Sequence, residues 1–182
     1  SMVVETSYEE SFLKMAMDKL ECFQEANITD PEDAYIKENG TSYELVPEVE
    51  GNRLNKDKVL TLLSEAASQG LKSVDLEAGD CYEKPSITSK DENLVARYNT
   101  LVKYSKMTVT YAFGDSREVL DASTIKSWMT VADNGDVTFS DERISDYVAG
   151  LAEKYDTYEK DVPFTTALGE TITVNSCDYG WE

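Results

Sequence analysis

Histidine does not occur anywhere in this chain of 182 residues, and no other absence removes as much chemistry. Without an imidazole there is no Ser-His-Asp or Cys-His arrangement, and the commonest general acid and base at neutral pH is missing. The phosphate-cradling patterns Gly-x-x-x-x-Gly-Lys-Ser/Thr and Gly-x-Gly-x-x-Gly are also absent, so nucleotide chemistry lacks its scaffold. No apolar run approaches the roughly 20 residues of a membrane-spanning helix, and no charged-then-apolar leader opens the chain. No membrane contact by this segment is therefore expected, and Ser1-Met2 reads as the remnant of an expression tag. The three cysteines, Cys22, Cys81 and Cys177, lie far apart, without Cys-x-x-Cys spacing and with no histidine to complete a zinc site. Neither a metal nor a cofactor is predicted, and the odd count leaves at least one thiol free or paired between chains.

Basic residues are scarce as well. Lys and Arg number 17 against 36 Asp and Glu, a net charge of -19, which repels nucleic acid and anionic lipid surfaces. A carboxylate-rich surface suits cationic groups, and it also serves solubility. With 41% hydrophobic and 10% aromatic residues the chain has the composition of a folded globular protein. Adjacent carboxylates such as Glu48 with Glu50, or Asp141 with Glu142, have the residue types of a glycosidase. Among 36 acidic residues such neighbours arise by chance and usually face water.

Along the chain, helical and extended periodicities alternate. Residues 7–26 place Phe12, Met15, Ala16, Leu20 and Phe23 at helical spacing behind a Ser7 cap, until Asn27-Ile28-Thr29-Asp30-Pro31 breaks the pattern. Ala34 to Lys37 and Tyr43 to Val46 read as a hairpin turning at Gly40. Asn55 caps a second helix carrying Val59, Leu62, Leu63, Ala66 and Ala67, which Gly70 stops. A short strand at 73–76 and a third helix at 90–103 follow. Strands at 107–113 and 117–120, a short helix opened by Asp121 and running through Trp128, a hairpin with a type I′ turn at Asn134-Gly135, and a helix capped by Ser140 complete the pattern. That last helix is expected to bury Ile144, Tyr147, Val148 and Leu151, and Trp128 is expected in the core with Ile125. The predicted class is α+β, with short, mainly antiparallel strands packed with amphipathic helices in two related lobes, residues 1–105 and 106–182. Leu54-Asn55-Lys56-Asp57-Lys58-Val59 and Phe139-Ser140-Asp141-Glu142-Arg143-Ile144 match at an offset of about 85 residues. This reads either as an internal repeat or as the residue choice that any strand-to-helix junction makes.

Several stretches, in order, carry a family resemblance: Asp33-Ala34-Tyr35-Ile36, Tyr43 through Leu54, Val74-Asp75-Leu76, Tyr82 through Pro85, Val109 through Asp115, Lys154 through Thr157, Pro163 through Thr166, and Asp178-Tyr179-Gly180-Trp181. Together they resemble the peptidoglycan-binding domain that precedes the catalytic domain in many Gram-positive L,D-transpeptidases. The resemblance implies a non-catalytic module of an extracellular, cell-wall enzyme, anchored through a membrane segment upstream. Its implied partners are peptidoglycan, by glycan strand or stem peptide, and a C-terminal catalytic domain of the same polypeptide. Cys177 does not fit that family's Ser-x-Gly-Cys nucleophile pattern, so no catalytic residue carries over. Tyr43, Glu48 and Tyr82 fall within the resembling stretches and are the candidate ligand contacts, because aromatic rings stack on sugars and carboxylates hold amines. A spacer that holds the catalytic domain off the membrane is the alternative reading, and a free-standing carboxylate enzyme is the remotest.

Overall fold

The structure, a computed structural model, describes residues 10–175. The Ser7 cap, Cys177 and the terminal Tyr-Gly-Trp therefore lie outside the described residues. Two compact units appear, one comprising the chain up to residue 39 with residues 43–95, the other residues 40–42 with the chain from 96 onward. The class is α+β, and the strands among the described residues form four two-stranded antiparallel sheets.

The first unit opens with helix α1 (Glu10–Met17), which stops well short of the predicted 26. Two 3-10 turns, at 21–23 and 25–27, take over after an extended Leu20. The cause is packing. Met17 and Phe23 both enter one buried cluster with Leu54, Val59 and Cys81, yet on a straight helix six residues would set them about 120° apart. Breaking the helix brings both rows inward, and side chains absorb freed carbonyls: Gln24 Nε2 donates to Asp18 O at 2.9 Å and Asn27 Nδ2 to Glu21 O at 3.1 Å. In consequence Phe12 stays 63% exposed, and Met15, Ala16 and Leu20 also face out.

Strands β1 (Tyr35–Asn39) and β2 (Ser42–Val46) form the expected hairpin, with Gly40 at φ +64°. Helix α2 (Lys56–Ser68) starts where Asn55 Oδ1 accepts from Lys58 N at 3.0 Å. It ends in a Schellman pattern, Gly70 N donating to Ala67 O and Leu71 N to Ala66 O, with Gly70 at φ +68°. Val59 and Ala66 are its buried residues, with Leu62 and Leu63 half-buried and Ala67 exposed. The strand predicted at 73–76 does not form. Asp75 Oδ1 instead accepts from the amides of Glu77 and Ala78, wrapping the chain into a turn that feeds Cys81 into the core.

Helix α3 (Glu92–Tyr104), capped by Asp91 Oδ1 on Leu94 N, contains the division between the units. In the second unit β3 (Val109–Phe113) pairs with β4 (Ser116–Leu120) from Val109↔Leu120 to Phe113↔Ser116. Asp121 caps α4 (Ala122–Trp128), which buries Ile125. Trp128 is half-buried, its ring 5.1 Å from that of Tyr147. Strands β5 (Met129–Val131) and β6 (Val137–Phe139) pair around Gly135. Asn134 keeps a negative φ, Gly135 N donates to Ala132 O, and Gly135 alone takes φ +85°, so the turn is type I with a left-handed glycine rather than type I′. Ser140 Oγ caps α5 (Asp141–Tyr155) through Arg143 N at 3.3 Å. Of the expected buried face, Ile144, Tyr147 and Leu151 are only half-buried, and Val148 is 55% exposed. The last hairpin, β7 (Val162–Thr165) with β8 (Thr171–Val174), aligns Phe164 with Ile172.

Two glycines occupy corresponding places in the units. Gly51, at φ +68°, lies where a Cβ would come within 2.6 Å of Pro31 N and Thr29 O; Gly135 lies where one would come within 2.7 Å of the Ala96 carbonyl carbon. Each precedes a capped helix, α2 or α5, and each lets a turn press onto the backbone of an earlier segment.

Candidate functional site

In the first unit the chain from Arg53 to Asn55 runs antiparallel to residues 81–83: Asn55 N donates to Cys81 O and Glu83 N to Arg53 O, both at 2.8 Å. This pairing carries Tyr82 and Glu83 beside the turn at 75–80, and Gly51 brings Glu50 to the same place. The result is a surface groove of about 460 Å³ lined by Glu50, Gly51, Glu77, Asp80, Tyr82, Glu83 and Lys84.

Its electrostatics are lopsided. Asp80 is already neutralised: Lys58 Nζ and Lys84 Nζ lie 2.8 and 2.7 Å from its two carboxylate oxygens, and Lys58 Nζ also reaches the Asp80 carbonyl. The hydrogen bonds from the two ammonium groups, Lys58 first, lower the Asp80 pKa to about 2, and they hold this residue at a left-handed φ of +49°. Lys84 pairs with Asp80, and that hydrogen bond, with smaller contributions from the charges of Glu50 and Glu77, raises its pKa. The carboxylates of Glu50, Glu77 and Glu83 form no hydrogen bond or ion pair with any described residue. The groove thus presents three carboxylates without a direct hydrogen-bond or ion-pair partner around one phenol ring, Glu50 and Glu77 lying in the field of Lys84, a setting that favours an ammonium-bearing ligand with an apolar or sugar face.

Of the three residues singled out from sequence, Tyr82 lines this groove and is half-buried. Glu48 is half-buried and engaged: its Oε2 accepts from Ser89 N at 2.6 Å, and hydrogen bonds from its own amide and from Ser89 lower its pKa. Tyr43 is half-buried on β2, away from the groove lining. Glu77 and Glu83 were not singled out, although Glu77, Asp80 and Glu83 recur every three residues around Gly79, a spacing that a turn can converge. Asp141 and Glu142 sit in the first turn of α5, where the helix dipole favours acidic side chains. Among the described residues no group of three or more potential ligands could hold a metal ion, and no helix is long and apolar enough to cross a membrane.

A family model described as Putative peptidoglycan binding domain matches this chain in two segments, residues 1–75 and 87–182. The two segments fit the two α+β lobes. No curated protein and no solved structure gives a significant match.

Proposed function

The chain belongs to this family of peptidoglycan-binding domains, and from that premise we propose that it is the non-catalytic wall-binding module of an L,D-transpeptidase, positioning the peptidoglycan substrate for a catalytic domain of the same polypeptide at the cell wall. The observation that carries the reading is the family match over both lobes. The sequence supports it by holding no histidine and no phosphate-binding loop.

In this reading the groove of the first lobe receives the free amine of a stem peptide. Glu50, Glu77 and Glu83 attract it, and the ring of Tyr82 packs on the adjoining peptide or sugar face. Glu48 contributes indirectly, since its bond to Ser89 fixes the loop that leads into α3. Tyr43 offers a second aromatic edge outside the groove. The arrangement favours contact over chemistry, because the groove lacks a nucleophile paired with a base.

Cosedimentation with purified peptidoglycan tests the proposal against the spacer alternative. The chain is expected to pellet with the wall polymer, and less of it with polymer whose stem amines have been acetylated. A chain that stays in the supernatant with both would leave the spacer role in its place.

A further inference from the structure

The second lobe carries a groove of different chemistry. Tyr111 and Phe113 on β3, Val148, Leu151 and Tyr155 on α5, and Asp156 line a cavity of about 240 Å³. Its walls are almost wholly apolar, and contacts among and behind them hold them in place. Tyr155 stacks on Phe113 with ring centroids 4.1 Å apart and planes within 2°. The Tyr155 hydroxyl and the Lys154 ammonium both donate to Glu118 on β4, which keeps that carboxylate ionised and ties α5 to the hairpin. Tyr111 is steadied by Tyr147 at 6.3 Å. Val148, 55% exposed, breaks the rule that an amphipathic helix turns its apolar face inward. Asp156 gives one oxygen to Tyr158 N at 3.1 Å, and its other oxygen makes no hydrogen bond to a described residue.

We infer that this groove is a sugar subsite: it takes one pyranose ring of an N-acetylated glycan strand, its C–H face against Tyr111, Val148 and Leu151 and a hydroxyl on Asp156. Three observations select that occupant. The cavity is smaller than a drug-sized pocket and accommodates one ring. The lining joins aromatic surface to one free acceptor, the pairing that suits a ring with an apolar face and a hydroxylated edge. The groove lies within the second of the two segments that match the peptidoglycan-binding family, residues 87–182. An anionic ligand is disfavoured, since the nearby Lys154 is committed to Glu118 and the chain carries -19. With an amine site on one lobe and a sugar site on the other, the chain carries a site for each component of the wall polymer.

The inference rests on the wall-binding reading, and its test separates the two. The full isotope-labelled chain is titrated with N,N′,N″-triacetylchitotriose, a neutral soluble oligosaccharide, and followed by amide NMR. Shifts are expected at residues 111 and 147–156. Val148→Asp, at an exposed position that leaves the fold intact, should weaken oligosaccharide binding at least tenfold, as should Tyr111→Leu, while a Glu77→Gln, Glu83→Gln double variant leaves it unchanged. Cosedimentation with the wall polymer retained, but without shifts in this groove or with both second-lobe variants binding the oligosaccharide normally, would overturn the sugar site and leave the function standing. Binding of an amphipathic peptide in the groove in place of the oligosaccharide would likewise overturn it, in favour of a protein partner.

Discussion

Substituting Gly51 by alanine is expected to cost far more than the same change at Gly40, although the two backbones are nearly alike. Both residues lie at positive φ, +68° and +64°, where a side chain costs about 1–2 kcal/mol. They differ in what a Cβ would meet. Nothing lies within 4 Å at Gly40, whereas at Gly51 the new carbon would come within 2.6 Å of Pro31 N and Thr29 O and 2.7 Å of Asp30 C. These are backbone atoms, and they cannot swing aside. Thr29 is held by its amide on Asn52 Oδ1 at 2.7 Å and by Asn52 N on its carbonyl at 2.9 Å, while Asn52 Nδ2 holds Asn27 O at 2.9 Å. Overpacking of this kind adds about 1–3 kcal/mol, so Gly51→Ala should lose about 2–5 kcal/mol and Gly40→Ala about 1–2 kcal/mol. Gly135→Ala, against Ala96 in the second lobe, should resemble Gly51→Ala, and Gly114→Ala, with nothing within 4 Å, should resemble Gly40→Ala. Urea unfolding followed by circular dichroism measures all four. Equal midpoints for Gly51→Ala and Gly40→Ala would refute the close approach.

Removing the caps of the two matched helices, by Asn55→Ala or Ser140→Ala, should each cost about 1 kcal/mol in the same urea assay, because each side chain accepts an amide of the first turn. Acid should weaken the first lobe through Asp80: its pKa lies at about 2, below the ordinary 3.8, so its contribution is full above that ordinary value and is lost as pH falls through it toward 2. Asp80→Asn should therefore flatten the fall of the urea midpoint between about pH 5 and pH 2. In a Cys177→Ser background, a thiol reagent should label exposed Cys22 quickly and leave the fully buried Cys81 unreacted until the chain unfolds.

Local chemistry was readable from the sequence wherever a side chain bonds to its own neighbourhood. The caps Asn55, Asp121 and Ser140, the stop at Gly70 and the hairpins around Gly40 and Gly114 all depend on contacts within a few residues. The readings that failed depend on partners distant in sequence. Helix periodicity ran through Leu20 without a signal that Met17 and Phe23 must share a core with Leu54, Val59 and Cys81. The residues Val74 to Leu76 had strand composition, but Asp75 bonded to its own turn instead. The apolar stripe of α5 was visible, yet Val148 turned out at a groove because the aromatic hairpin facing it leaves space. At the first-lobe groove Tyr82 was legible from the family-like stretch, and the carboxylates that surround it were not. Glu50 arrives only through the Gly51 approach, and Glu77 only through the turn that replaced a strand.

Titration of the isotope-labelled chain with soluble muropeptides, at low and at high salt, tests the central claim most directly. Shifts are expected at residues 50–51 and 77–84, with a dissociation constant between micromolar and millimolar, about -4 to -8 kcal/mol. Affinity should fall as salt rises, because exposed charge contacts are screened, and a remainder should persist through the Tyr82 ring. Glu77→Gln with Glu83→Gln should remove the salt-dependent part, and Tyr82→Ala the remainder. A chain whose resonances do not move at millimolar muropeptide would contradict the account and leave a spacer.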